Sequence, residues 1–213
     1  MVVIGLTGGI GSGKSFVLEL LHKRYDIPVF ESDKVAKDLM MPPNDIYKDV
    51  VLEFGESILE DVDETSIDRP VEKPIDREKL RQIVMNDEKS LARLNAIVHP
   101  GVKKYFKDII ASDNYSVIII ESAILLQDGY DEICDEIWYV RADRVTRRNR
   151  IMKDRGYTYE KANSFMDNQP DDDYYMEHAD RVINNNHFKE LELLILEVDS
   201  VIKSFKEKYP FII

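Results

Sequence analysis

The chain has 213 residues, 44% of them hydrophobic and 33% charged, with a formal net charge of −12. This is enough for one sizeable core with smaller appended lobes, and the negative balance argues against nucleic acid as the main partner, because binding to phosphate backbones is driven by Lys and Arg. Cys134 is the only cysteine, so no internal disulfide can form and a reducing cytoplasm is expected, while the longest apolar run, Val117 to Ile120, is far too short to span a bilayer, so no membrane partner is expected.

In chain order the pattern alternates strand and helix, which predicts an α/β fold with a parallel sheet covered by helices. Val2-Val3-Ile4-Gly5-Leu6 reads as the first strand. The N-terminus enters it directly, without a basic leader, so no signal peptide is expected. Gly8-Gly9-Ile10-Gly11-Ser12-Gly13-Lys14-Ser15 then fits G-x-x-x-x-G-K-[ST] without a mismatch. Val17, Leu18, Leu20 and Leu21 follow at helical spacing and predict a helix over 14–25. In this context the glycines let N–H groups turn inward onto phosphate oxygens, and the helix adds its positive end. Residues Gly9, Ile10, Gly11, Ser12, Gly13, Lys14 and Ser15 are the expected nucleotide-binding set. Lys14 is expected to reach the β- and γ-phosphates, and the Ser15 hydroxyl to ligate Mg²⁺. The loop alone leaves the phosphoryl acceptor open among water, protein, nucleotide and small metabolite.

Pro28-Val29-Phe30 reads as a short second strand. Residues 34–106 are mostly helical in pattern, with breaks at Pro42-Pro43 and over 60–76, an acidic stretch read as a solvated loop. Helical spacing returns from Leu80 to Val98, and Pro100 is expected to close or kink that helix. Val117-Ile118-Ile119-Ile120 and Ile137-Trp138-Tyr139-Val140 read as buried parallel strands. Helices are predicted over 144–155 and 159–168, a final short strand at Val182-Ile183, and an amphipathic helix in the tail from Phe188, to pack on the sheet.

Ligands of open α/β sheets sit at the carboxyl ends of the strands, where Asp33 and Glu121 fall. Asp33 is the candidate for orienting an attacking hydroxyl and accepting its proton; Glu121 is the candidate for holding Mg²⁺ through water. The plainer reading of either is a helix N-cap or a surface charge. Residues 141–155 carry seven basic side chains against Asp143 and Asp154, a local charge of +5 in an acidic chain. Such a segment suits a closing lid that neutralises phosphate, though it also suits a solvated helix face, and spacing does not say which arginines matter. Asp171-Asp172-Asp173 resembles a metal run but points three ways, and is read as a solvated turn. His99, before a proline at a helix end, reads as a structural cap or as a substrate contact.

The stretch Ile4 to Ser15, the strand and aspartate Ile27-Pro28-Val29-Phe30-Glu31-Ser32-Asp33, and Leu94-Asn95-Ala96-Ile97-Val98-His99-Pro100 together resemble the dephospho-CoA kinase family. Arg77, Glu121-Ser122-Ala123-Ile124-Leu125, Arg150-Ile151-Met152, Gln169 and Ala179 to Asn185 follow the same order, so the likeness covers almost the whole length. Glu31 stands where that family usually has Asp, and Asp154-Arg155 reverse its usual order.

The resemblance implies a P-loop kinase core with a parallel sheet over about 1–33, 107–141 and 176–213, a helical substrate lobe over about 34–106, and a helical lid over about 142–175. It implies transfer of the ATP γ-phosphate to the ribose 3′-hydroxyl of dephospho-CoA, a small-molecule partner. Asp33 then becomes the base, with Lys14 and Arg150 as the other catalytic residues. Thr7, Asp33, Arg77, His99 and Glu121 become substrate-side residues, and Asn185 lies near the adenine. The rival readings are another small-molecule P-loop kinase, acting on a nucleotide or nucleoside, and a nucleotide-dependent switch with no acceptor. The oligomeric state is left open by the sequence.

Overall fold

A computed structural model describes residues 1–61, 72–186 and 191–212. Five parallel strands form one sheet in the order β2-β3-β1-β4-β5. They are β1 (Val2–Thr7), β2 (Val29–Glu31), β3 (Val117–Glu121), β4 (Glu136–Arg141) and β5 (Arg181–Asn184). The central strand β1 is buried at every position, which explains its apolar run from Val2 to Leu6. Register places Leu6 beside both Glu121 and Trp138, and Glu31 beside Glu121. The carboxyl ends of β1, β2 and β3 therefore share one edge of the sheet.

Two compact units divide the chain. The first, residues 1–31 and 112–213, holds the sheet. Val2, Ile4 and Leu6 alternate onto one face and pack with Val17, Leu18 and Leu21 of α1 (Lys14–Tyr25). The same cluster takes in Leu194, Val198 and Ile202 of the C-terminal helix, Leu191–Lys208. That helix completes the core, as its apolar spacing predicts; residues 187–190, where the tail pattern begins, lie outside the described residues. Trp138 meets Phe205 edge-on at 5.4 Å between ring centroids. A charged tie crosses this packing. The Glu136 carboxylate, 1% exposed, accepts from Arg181 Nε at 2.6 Å, Trp138 Nε1 at 2.9 Å and Lys208 Nζ at 2.9 Å.

The second unit, residues 32–111, is helical among its described residues. Its helices are α2 (Ser32–Leu39), α3 (Asp45–Phe54), α4 (Arg77–Asn86) and α5 (Glu88–Ser112). The predicted helix through Leu80 to Val98 is in fact two. Asp87 breaks it, because its carboxylate accepts from the backbone N–H of Lys89 and Ser90, at 3.2 and 3.0 Å, and so starts a new helix. Nor does Pro100 close that helix, which runs on to Ser112. Proline removes one backbone hydrogen bond, but Val98, Val102 and Phe106 are buried at four-residue intervals and hold the helical phase across it. Of the acidic stretch 60–76, residues 62–71 lie outside the described residues. Its flanks pair: Leu59 bridges Ile75, and Glu60 N donates to Pro74 O at 2.9 Å.

Three helices follow β4 in the first unit, namely α6 (Arg144–Arg155), α7 (Tyr159–Asp167) and α8 (Asp172–His178), and the C-terminal helix is α9. Helix α8 replaces the expected solvated turn at Asp171-Asp172-Asp173. Asp171 caps it by accepting from Tyr174 N at 2.9 Å. Asp172 accepts from Tyr139 OH at 2.5 Å and Arg141 Nε at 2.8 Å. The run is thus a helix start and an ion pair, because successive residues face different neighbours there.

Candidate functional site

The loop from Gly8 to Gly13 joins β1 to α1 at the carboxyl edge of the sheet. Gly11 and Gly13 have φ of +78° and +88°, in the left-handed region that side chains disfavour. At Gly13 space is closed as well, since a Cβ would come within 2.3 Å of Asn185 Nδ2. A loop whose N–H groups turn inward must aim its carbonyls outward, and each buried carbonyl then needs a donor.

Every carbonyl from Gly8 to Gly13 has one. Gly8 O accepts from Lys14 Nζ at 2.6 Å, and Gly9 O from Ser12 N at 3.1 Å. Ile10 O accepts from Arg147 Nε at 2.9 Å. Gly11 O and Ser12 O accept from Arg150 Nη1 at 3.3 and 3.1 Å, and Ser12 O also from Asn185 Nδ2 at 2.8 Å. Gly13 O accepts from Phe16 N at 3.1 Å. On the inner side, the N–H groups of Gly11, Gly13 and Ser15 bond to no acceptor among the described residues. These donors, with the start of α1, form an anion-binding concavity.

Two cations, Lys14 and Arg150, frame it. Lys14 Nζ stands 3.8 Å from Glu121 Oε1, and both side chains are mostly buried. Glu121 is therefore neither a helix cap nor a surface charge. Arg150 reaches across to Asn185, whose carbonyl O accepts from Nη2 at 2.8 Å. Burial lowers the proton affinity of Arg150, while Asp143 and Asp154 raise it. The hydroxyls of Thr7 and Ser12 are buried and meet no partner among the described residues. A cavity of about 430 Å³ opens beside the loop, with Gly9, Gly13, Lys14 and Ser15 on one wall and Arg150 and Arg155 on another.

The structure sorts the basic segment that spacing left undivided. Arg141 pairs with Asp172 at 2.8 Å, Arg144 with Asp167 at 2.5 Å, and Arg148 lies over the Tyr159 ring at 4.5 Å. Arg147 and Arg150 instead go to the phosphate loop. Arg147 was not singled out by sequence. The signal that marks it is its helical phase: it lies four residues before Ile151, and both are buried positions of α6. Gln169, which the sequence marks only through the family likeness, accepts Ile10 N–H at 2.7 Å.

Asp33, Arg77 and His99 belong to the second unit. Asp33 is exposed in the first turn of α2, two residues after β2 ends. His99 is half-buried within α5. Arg77 opens α4 and lines a mostly apolar cavity of about 200 Å³ with Met40, Leu80 and Leu94, and Lys37 and Arg81 also line it.

Among the described residues no helix is long and apolar enough to cross a membrane. The family model described as dephospho-CoA kinase matches residues 2–190. A dephospho-CoA kinase of Fusobacterium nucleatum is 33% identical over 186 residues, 87% of this chain and 90% of that protein. One from Geobacillus kaustophilus is also 33% identical, over 89% of this chain and 90% of its own length. In fold, a crystal structure of a Thermus thermophilus protein matches with a TM-score of 0.72 at 23% identity, covering 97% of each chain. Dephospho-CoA kinase from Campylobacter jejuni matches with a TM-score of 0.69 at 20% identity, over 97% of this chain and 98% of that one.

Proposed function

The chain belongs to the dephospho-CoA kinase family, and from this premise we propose that it transfers the γ-phosphoryl group of Mg-ATP to the ribose 3′-hydroxyl of dephospho-CoA, giving coenzyme A and ADP, the last step of CoA synthesis. The observation that carries the reading is the family match across nearly the whole chain, joined to a phosphate loop whose outward carbonyls are all satisfied and whose inward N–H groups are not. Phosphoryl transfer asks for positioning and charge neutralisation more than for covalent chemistry, and those are what this loop, Lys14 and Arg150 supply.

Roles follow from chemistry and placement. The N–H groups of Gly11, Gly13 and Ser15 bind the nucleotide's phosphates, and Lys14 follows the charge on the transferring group. Arg150 and Asn185 hold the loop from outside; Asn185, next to the cavity wall, borders the adenine. Ser15 and Glu121 offer a hydroxyl and a carboxylate, hard oxygen donors of the kind that Mg²⁺ takes, and would hold it together with its waters. The ion, when bound, neutralises phosphate charge. Asp33 orients the acceptor hydroxyl and takes its proton; its place just past β2 supports this. Arg77 and His99 serve the acceptor, and Thr7 lines the reacting end. An apolar cavity with cations along its wall suits an acceptor that carries both an apolar arm and phosphates. A reducing cytoplasm fits the chain's single cysteine.

The test is ADP release with Mg-ATP, with and without dephospho-CoA, beside adenosine, AMP, CMP and pantetheine phosphate. Strong stimulation by dephospho-CoA alone, with CoA as product, is the expected result. Stimulation by another acceptor instead would make the chain a different small-molecule kinase.

A further inference from the structure

Arg147 is a charged side chain only 7% exposed. Its acceptors are neutral: Ile10 O at 2.9 Å and Gln169 Oε1 at 3.1 Å. The same Gln169 oxygen accepts Ile10 N–H at 2.7 Å. Arginine and glutamine thus hold both polar groups of one loop residue. The guanidinium lies against the loop, so close that a Cβ on Gly9 would stand 2.1 Å from Nη2.

Among the described residues no carboxylate pairs with it. Asp172, within reach of its field, is engaged with Tyr139 and Arg141. The neighbouring Arg141 and Arg144 both have carboxylate partners. A buried charge without a counter-charge is costly. The cost falls when an anion arrives nearby, and the adjacent concavity is built for anions.

We propose that Arg147 is a buried charge kept unneutralised for the nucleotide's phosphates, and that Gln169 is the positioning residue that fixes it there because an amide accepts hydrogen bonds without cancelling charge. This rests on the reading of the loop as the ATP site. Arg147 lowers the free energy of the bound phosphates through the loop, while its hydrogen bonds keep the Ile10 peptide oriented.

Gln169→Glu separates the two contributions. It keeps the shape and an acceptor for both donors, but places an anion against the guanidinium. Mg-ATP and Mg-ADP affinities are measured by calorimetry without acceptor, together with melting temperature. Affinity for Mg-ATP is expected to fall about tenfold, the size of one unit charge acting through the loop over roughly 12 Å at an effective dielectric constant of about 20, while the melting temperature holds or rises because an ion pair forms. Arg147→Met is expected to lose a similar factor, at a lower melting temperature. Mg-ATP affinity within twofold of the parent in Gln169→Glu overturns the proposal. So does a loss of affinity that only tracks a loss of melting temperature in both variants. Failure of dephospho-CoA to stimulate the parent enzyme would instead count against the function, and leaves the binding result standing.

Discussion

Arg150 and Asn185 converge on one atom. Both donate to Ser12 O, at 3.1 and 2.8 Å, and Arg150 also donates to the Asn185 carbonyl at 2.8 Å. A residue of α6 and the residue that follows β5 thereby hold the phosphate loop from the side away from its N–H groups. The loop's inward geometry rests on these outside contacts, because an unpartnered buried carbonyl costs about 1–3 kcal/mol.

Arg150→Ala is accordingly expected to lower kcat/KM for ATP by about 10- to 100-fold. Arg150→Lys should restore little, since one ammonium cannot span three carbonyls as the planar fork does. Steady-state kinetics at saturating acceptor decide this. A lysine variant equal to the parent would mean that only charge is needed.

Lys14 bridges Gly8 O and the Glu121 carboxylate. Lys14→Ala should reduce turnover even with ATP saturating, because charge on the transferring group loses its cation. A rapid-quench comparison at high ATP would show full turnover if the lysine served ground-state binding alone.

Asp33→Asn should keep nucleotide and dephospho-CoA affinities within about twofold and lose most of kcat. Binding measured by calorimetry and turnover by coupled ADP release give the two halves. Unchanged kcat would remove Asp33 as the base.

Gly9→Ala pushes a methyl group into the space that the Arg147 guanidinium fills. Affinity for Mg-ATP should fall about tenfold, and the double variant Gly9→Ala/Arg147→Met should be little worse than either single change, since both remove the same seating. Additive losses would show that the glycine matters for another reason.

Glu136→Gln tests the tie between β4, β5 and α9. Burial raises the glutamate's pKa, but hydrogen bonds from Arg181, Lys208 and Trp138 outweigh it and hold the carboxyl below its ordinary value. A folded-state pKa below the unfolded one stabilises above the unfolded value, ~4.3, and that stabilisation is lost as pH falls through the folded value. Breaking such a buried set costs about 3–5 kcal/mol. Urea unfolding should show this deficit at pH 7 and a smaller one in the acid range below ~4.3. A deficit independent of pH would assign it to packing.

Much of the fold is legible locally. The apolar run of β1, the glycine loop and the spacing of α1 are each written in consecutive residues, and the buried strands announce themselves by composition. The local pattern misleads where one side chain resets the backbone, at the Asp87 cap and the Asp171 cap, and it does not show that tertiary burial keeps Pro100 from closing its helix.

The sequence by itself determined that a phosphate loop opens a helix after a buried strand, since backbone freedom at glycine and helical period are properties of neighbouring residues. Tertiary structure decided which of the basic side chains serve that loop. Arg147 meets Ile10 across 137 residues of chain, and Gln169 meets it across 159. A long arginine side chain carries no local mark of its acceptor, and only packing of α6 against the loop divides the arginines that bind it from those paired elsewhere.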